Sequence, residues 1–312
     1  MGYVGYCKSV DAGTVLINGQ NADSVLSFGG MGWPRFKGFK LSGLNGLFTR
    51  HFQFNGPEDT LKKTQYTQPA IYIVSVILGD LLKEKGHSPN AVSGHSLGEY
   101  SALAVANAFD FETGLSLVII RAESMAKAGE VHEGTMAAII GMDDNTVTDL
   151  CTSYSGNGIV VTANYNSPGQ VVISGSPEAV TSIMNLAKES GARMTVQLNV
   201  SGAFHSPLMT PAREALADSL DSLKISDAIY PIITNVDAKP VTKGSDIKDA
   251  LIRQLENPVL WSQSILNMIE LGIESYTEVG PSKVLQGLNK RINRDLVTKG
   301  VESMEQVENF YV

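Results

Sequence analysis

The 312-residue chain is 43% hydrophobic and 18% charged, which is ordinary for a globular protein of one large or two modest domains. A net charge of −8, with no cluster of Lys and Arg, argues against nucleic acid as a partner. No apolar run approaches the length of a membrane span and no signal peptide begins the chain, so we expect no membrane contact and a cytoplasmic location. Cys7 and Cys151 lie far apart and fit no metal-ligand spacing, so we expect no metal site and a reducing compartment.

The first clear elements are a strand and a long helix. Residues 14–17 predict a strand, whereas the Gly-rich residues 27–46 show no clear period and predict irregular structure. Apolar residues at helical spacing predict a helix over residues 70–85, preceded by Pro69 and ended by Gly86. Clear periodicity therefore begins only after the irregular segment.

A possible nucleophile follows this helix, in the sequence Gly94-His95-Ser96-Leu97-Gly98. Residues 91–93 predict a short buried strand before it, and residues 99–108 predict a helix after it. Gly-x-Ser-x-Gly between a strand and a helix is the pattern of a nucleophile elbow, although the five residues alone also occur in ordinary loops. In an elbow the Ser96 hydroxyl is exposed to substrate, and the amide of Leu97 can stabilise negative charge at a helix N-terminus.

A buried cation is predicted in the next helix, residues 111–128, for which Asp110 is a suitable N-cap. Arg121 lies among apolar residues of this helix. An arginine in that setting needs a hydrogen-bonding partner or an aqueous cleft.

A serine hydroxyl is a weak nucleophile and needs a base within hydrogen-bond distance. The histidines of the chain are His51, His87, His95, His132 and His205. His95 adjoins Ser96, and adjacent side chains on a sharp turn usually diverge. His51 is expected to be a surface or packed imidazole, and the two residues at 87 and 132 flank helices at polar sites. His205, in an apolar loop segment, is therefore the best candidate for the base.

The remaining elements predict the fold class. Residues 134–200 have the order β-α-β-β-α-β, which suggests a ferredoxin-like small subdomain inserted at residues 131–200. Residues 1–130 and 201–312 alternate helices and strands, which predicts an α/β subdomain built on a parallel sheet with helices on its faces. The tail after Asp295 is expected to be loosely packed.

Several motifs, taken together, resemble one family of acyltransferases, the malonyl-CoA:acyl carrier protein transacylases, over roughly residues 56–292. They are Gly94-His95-Ser96-Leu97-Gly98-Glu99-Tyr100, Arg121, Asn164-Tyr165-Asn166-Ser167-Pro168-Gly169-Gln170, Gly202-Ala203-Phe204-His205-Ser206, Gln254, Asn257-Pro258-Val259 with Trp261, and Glu278-Val279-Gly280-Pro281. The resemblance implies an α/β-hydrolase-like large subdomain with a ferredoxin-like small one. Related acyltransferases serve polyketide synthases, so the pathway, fatty acid or polyketide, stays open.

The resemblance also implies a mechanism, with malonyl-CoA and acyl carrier protein as partners of a monomer that needs no cofactor. Ser96 would form a malonyl ester and His205 would act as base, oriented by the main-chain carbonyl of Gln254. Arg121 would bind the malonyl carboxylate through its two-pronged guanidinium. Asn164 and Gln254 are also implied in substrate binding, and Phe204, just before the histidine, matches the malonyl-selecting form of this loop.

The sequence departs from the family after the first strand. Members carry Phe-Pro-Gly-Gln-Gly-Ser-Gln, whose first glutamine amide completes the oxyanion hole, and this chain has Ile17-Asn18-Gly19-Gln20-Asn21-Ala22-Asp23. By this match Gln20 and Leu97 would supply the two oxyanion amides. Three alternatives remain: a serine hydrolase such as a thioesterase on the same elbow, a family member impaired by the divergent loop, and a partner-binding scaffold without activity.

Overall fold

A computed structural model describes residues 61–310 and, further upstream, the backbone of one strand at residues 13–17. The helices are α1 Thr64–Glu84, α2 Gly98–Val105, α3 Phe111–Val131, α4 Asp144–Thr152, α5 Pro177–Glu189, α6 Thr210–Asp221, α7 Gly244–Gln254, α8 Trp261–Glu270, α9 Val284–Ile292 and α10 Met304–Glu308. The strands are β1 Gly13–Ile17, β2 Ala91–Ser93, β3 Thr135–Ile140, β4 Val160–Ser167, β5 Gln170–Gly175, β6 Met194–Gln197, β7 Ile232–Ile233, β8 Pro240–Val241, β9 Ile273–Val279 and β10 Val297–Val301. The chain has a mixed α/β fold.

The larger sheet has the strand order β10-β9-β1-β2-β7-β8. The first five strands of this order pair in parallel, and β8 pairs with β7 in antiparallel fashion. The predicted parallel sheet is therefore present. Because β2 ends at Ser93 and pairs in parallel with both of its neighbours, the turn that follows lies at the carboxyl edge of the sheet, where open α/β sheets bind ligands.

The core beside this sheet is formed largely by α1, α2 and α3. The Asp110 carboxylate accepts a hydrogen bond from the Thr113 amide at 2.8 Å, so the predicted N-cap of α3 is present. The predicted start of α1 was wrong, because the helix begins at Thr64 and contains Pro69. Proline lacks one backbone donor, and burial of Gln68, Pro69 and the apolar residues after them offsets that loss. No described helix is long and apolar enough to cross a membrane.

The smaller sheet is formed by the segment β3-α4-β4-β5-α5-β6, with antiparallel pairing in the order β4-β5-β3-β6. The register of β4 against β5 is interrupted twice, between Thr162 and Asn164 and between Tyr165 and Ser167. Bulges of this kind re-aim side chains next to functional sites. The Val259 amide donates to the Ala163 carbonyl at 2.9 Å, which ties β4 to the loop before α8.

The expectation of a loosely packed tail after Asp295 was wrong. Strand β10 extends the larger sheet in parallel with β9, and α10 follows it. Val301 and Val307 are 1% and 0% exposed, so both belong to the core. Backbone pairing of β10 with β9 and burial of these two valines hold the tail in place.

Candidate active site

The turn after β2 has the geometry of a nucleophile elbow. Ser96 has a φ of +57°, in the left-handed region, which costs a non-glycine residue about 1–2 kcal/mol. A Cβ on Gly94 would lie 1.9 Å from the carbonyl carbon of Gly98 and 2.2 Å from the amide nitrogen of Glu99. Gly94 is therefore required for close approach of the strand and α2, and the unusual backbone angle is at Ser96 itself.

His205 lies beside the serine, as the sequence predicted. Its Nε2 is 2.8 Å from Ser96 Oγ, and its Nδ1 is 2.9 Å from the Gln254 carbonyl oxygen. A carbonyl only accepts, so Nδ1 carries the hydrogen and Nε2 is free to accept the serine proton. Burial, and then the charge of Arg121, lower the pKa of His205 to about 3. The imidazole is therefore neutral at neutral pH, as a general base must be.

Arg121 is fully buried next to this pair. Its Nη2 donates to Ser96 Oγ at 2.9 Å and to Gln254 Oε1 at 3.1 Å, and its Nη1 donates to Gln68 Oε1 at 2.5 Å. The guanidinium carbon also lies 5.4 Å from the ring centre of Tyr100, which is within range of a cation–π contact. Burial lowers the pKa of Arg121, yet a guanidinium in a protein stays charged. All the hydrogen-bond acceptors that the described residues give it are neutral, so the site can take a carboxylate.

Two side-chain amides hold the backbone of the elbow. Asn235 Oδ1 accepts from the Ser96 amide at 2.6 Å, and Asn235 Nδ2 donates to the Gly94 carbonyl. Gln254 Nε2 donates to the Ser96 carbonyl at 2.9 Å and to the buried Glu99 carboxyl at 2.7 Å. Burial raises the pKa of Glu99 to about 7. The strained Ser96 conformation is thus fixed by residues from β7 onward, far along the chain.

The remaining predicted site residues are Leu97 and Asn164, which the structure describes, and Gln20, which it does not. The Leu97 amide, at the N-terminus of α2, makes no hydrogen bond to a described residue and can serve as an oxyanion donor. Asn164 is 6% exposed in the irregular part of β4 and bridges to Val259. Gln20 lies outside the described residues, so its place in an oxyanion hole stays a prediction. Among the described residues, no cluster of His, Cys, Asp and Glu could hold a metal ion.

Comparisons with known proteins agree with this geometry. Residues 40–308 match the family model described as the acyl transferase domain. The malonyl CoA-acyl carrier protein transacylase of Bacillus subtilis (strain 168) is 45% identical over 258 residues, which cover 82% of this chain and 81% of that protein. The chain belongs to the malonyl-CoA:acyl carrier protein transacylase family.

Solved structures of this transacylase family match the chain at similar coverage. The Coxiella burnetii malonyl CoA-acyl carrier protein transacylase has a TM-score of 0.81 at 37% identity, covering 84% of this chain and 83% of that one. A complex of a type II polyketide synthase acyl-carrier protein with its malonyl-transacylase gives 0.80 at 38% identity, covering 84% and 85%. The mixed α/β fold of the chain is therefore the fold of known transacylases.

Sequence reasoning missed two contributors to this transacylase site, Gln68 and Asn235. Gln68 was assigned to the segment before α1, although its amide oxygen is the nearest acceptor of Arg121. Asn235 lies two residues after β7, which pairs with β2 in the sheet. Carboxyl ends of neighbouring parallel strands meet at one edge, and that rule could have pointed to Asn235. His95 diverges from Ser96 as expected, with its Nε2 2.9 Å from Asn166 Oδ1.

Proposed function

We propose that the chain transfers a malonyl group from malonyl-CoA to the phosphopantetheine thiol of acyl carrier protein. The observation that carries this proposal is the position of Arg121, a buried cation 2.9 Å from the nucleophilic oxygen of Ser96. An acyl group that ends in a carboxylate satisfies this cation, whereas an acetyl group does not. The names of the relatives, and the solved complex of a transacylase with its carrier, support the same substrates.

The first half-reaction begins with attack of Ser96 Oγ on the thioester carbonyl. As the new C–O bond forms, the serine proton passes to His205 Nε2 across the 2.8 Å hydrogen bond. The Gln254 carbonyl stabilises the imidazolium through Nδ1–H. The amides of Leu97 and Gln20 stabilise the oxyanion, the C–S bond breaks, and His205 returns the proton to the departing thiolate of coenzyme A. This Ser–His dyad needs no carboxylate partner.

The second half-reaction reverses these steps with the thiol of the carrier. The carrier thiol gives its proton to His205 and attacks the malonyl-serine carbonyl, and Ser96 leaves as a hydroxyl. Arg121 holds the malonyl carboxylate in both half-reactions, with Gln68 and Gln254 orienting the guanidinium. Asn164, in the irregular part of β4, would contribute to substrate binding.

The finer architecture follows from the same family assignment. We assign residues 1–130 and 201–312 to an α/β-hydrolase-like catalytic subdomain and residues 131–200 to a ferredoxin-like one. The antiparallel order β4-β5-β3-β6, with a helix after the first and third strands of the segment, supports the second assignment. Use of malonyl-CoA fits a monomeric cytoplasmic enzyme of fatty acid or polyketide synthesis.

A serine hydrolase or thioesterase on the same elbow is the main alternative. A hydrolase of neutral acyl esters has no use for a guanidinium beside its serine, so Arg121 favours malonyl transfer. The short Ser96–His205 contact favours a working enzyme over an inactive scaffold.

The test follows the fate of the acyl group. Purified protein is mixed with malonyl-CoA, with and without phosphopantetheinylated carrier, and free malonate and malonyl-carrier are measured over time. A transferase yields malonyl-carrier at a rate far above that of free malonate. Free malonate formed at the same rate with or without carrier would identify a hydrolase. The absence of both products would indicate an impaired protein.

A further inference from the structure

Glu99 occupies an unusual place for an acidic residue in the first turn of a helix. It lies three residues after Ser96 at the start of α2, where acidic side chains usually extend into water near the helix N-terminus. Here the residue is 1% exposed, beneath the elbow. A buried carboxyl group is costly unless it is hydrogen-bonded, so its partners indicate what it contributes.

One oxygen of Glu99 contacts both residues that hold the elbow. Oε2 accepts a hydrogen bond from Gln254 Nε2 at 2.7 Å and one from the main-chain amide of Asn235 at 3.3 Å. Asn235 in turn binds the Ser96 amide, and Gln254 binds the Ser96 carbonyl. The carboxyl group of Glu99 is therefore linked, through Asn235 and Gln254, to both the amide and the carbonyl of Ser96.

The same contacts determine how the Gln254 amide is turned. Its Nε2 donates to Glu99 Oε2 and the Ser96 carbonyl, and at 3.5 Å to Asn235 Oδ1, so its Oε1 must face Arg121 Nη2. A flipped amide would place Oε1 against two oxygens and its NH₂ group against a guanidinium. The main-chain carbonyl of Gln254 also orients His205. Removal of Glu99 would take away the shortest of the hydrogen bonds that Gln254 Nε2 donates.

We propose that Glu99 is a positioning residue for acyl transfer. It holds Gln254 and Asn235 so that Arg121 and His205 face Ser96 in the reactive arrangement. Glu99 acts through these two residues. The inference rests on the proposed function, because its effect is defined on malonyl transfer.

The charge of Glu99 is part of this role. Glu99 faces Arg121 on α3, Tyr100 on its own helix and Asp237 in the loop after β7. Burial raises its pKa to about 7, and its hydrogen bonds and the charge of Arg121 act in the opposite direction. Below that pH the carboxyl gains a proton, accepts more weakly and no longer balances the guanidinium. The rate of transfer should therefore fall as the pH drops through 7.

The test replaces Glu99 with its neutral isostere. Formation of malonyl-serine is followed by rapid quench and intact mass, from about pH 5.5 to about pH 8.5. We expect Glu99→Gln to lower kcat about 10-fold to 100-fold with little change in KM, as for a buried donor that loses its charged acceptor. The fall in rate near pH 7 that we expect of the native protein should be absent in this variant. Glu112→Gln, at an exposed glutamate in the first turn of α3, is the control and should match the native protein.

A second comparison separates positioning from general destabilisation. Gln254→Ala keeps the main-chain carbonyl and removes the side-chain amide that makes the shorter of the two hydrogen bonds to Glu99. In that background Glu99→Gln should lower the rate of malonyl-serine formation by less than about 3-fold, because the coupling between Glu99 and Gln254 has been removed. Full additivity of the two losses would overturn the proposal.

Two further outcomes are informative. If Glu99→Gln does not fold, Glu99→Asp takes its place. Glu99→Asp keeps the charge, so it should transfer malonyl slowly and should retain the fall in rate near pH 7. Native kinetics in Glu99→Asp would overturn the proposal. If the native protein forms no malonyl-serine, the proposed function fails. A native adduct with an unchanged rate and pH profile in Glu99→Gln would refute only the role of Glu99.

Discussion

Arg121→Ala removes a buried cation beside the nucleophile and leaves the Ser96–His205 hydrogen bond in place. Two costs follow. The malonyl carboxylate loses a charge-assisted pair, and truncating such a pair costs about 2–4 kcal/mol. Gln68 and Gln254 each lose a donor, which costs about 1–3 kcal/mol per buried acceptor. The second cost applies equally to malonyl and acetyl substrates, so it cancels in their ratio.

The assay is therefore a competition between malonyl-CoA and acetyl-CoA, with the acyl-serine species counted by intact mass. The ratio of kcat/KM values for malonyl over acetyl should fall roughly 30-fold to 1000-fold, the equivalent of about 2–4 kcal/mol. Arg121→Lys keeps the charge without the planar fork and should give an intermediate ratio. Arg294→Ala, at an exposed arginine, is the control.

An unchanged ratio would refute the reasoning, provided that the Arg121→Ala protein still forms an acyl-serine. The guanidinium would then serve only to orient Gln68, Gln254 and Ser96. A fall in both rates by the same factor would lead to the same conclusion.

Three more predictions follow from the geometry. His205→Ala should slow formation of malonyl-serine about 10²-fold to 10⁴-fold without lowering the melting temperature much, because a general base is lost. Gly94→Ala should destabilise the fold by at least about 2–3 kcal/mol in denaturant unfolding, since its Cβ would overlap the Gly98 backbone. Burial lowers the pKa of His95 from 6.5 to about 4, so its contribution to stability is present above pH 6.5 and is lost as the pH falls towards 4. Between about pH 7.5 and about pH 5, the native protein should lose about 2 kcal/mol more than His95→Gln.

The controls for these predictions come from the same chain. His132→Ala and His132→Gln change an exposed histidine and should behave like the native protein. Gly287→Ala adds a Cβ that has no atom within 4 Å, so it should not destabilise. Each of these predictions has an outcome that would contradict it. These are a native rate of malonyl-serine formation in His205→Ala, native stability in Gly94→Ala, and parallel pH profiles of stability for His95→Gln and the native protein.

The parts of the fold that depend on local sequence could be predicted. The strand–turn–helix at Ser96 follows from neighbouring residues, and the N-cap of α3 follows from Asp110. Arg121 was singled out because a cation in an apolar helix needs a partner. The pairing of Ser96 with His205 came from counting histidines and from the family motif, because the two lie 109 residues apart.

The parts that depend on distant contacts could not be predicted. Strand β10 is held by its ladder with β9, a pairing between separate segments that the sequence of the tail does not indicate. Asn235 bonds to the Ser96 amide across 139 residues, and a lone asparagine carries no local sign of this. Pro69 indicated a helix start, yet the packing of α1 against α3 accommodates it. Tertiary contacts overrode local preference in each case.

In the proposed mechanism Ser96 carries the malonyl group between two thiols. The most direct measurement is intact mass and peptide mapping after mixing with malonyl-CoA, followed by addition of phosphopantetheinylated carrier. We expect one malonyl group on the peptide that contains Ser96, its transfer to the carrier, and no adduct in Ser96→Ala. A malonyl group on another residue, or an equal adduct in Ser96→Ala, would show that Ser96 is not the nucleophile.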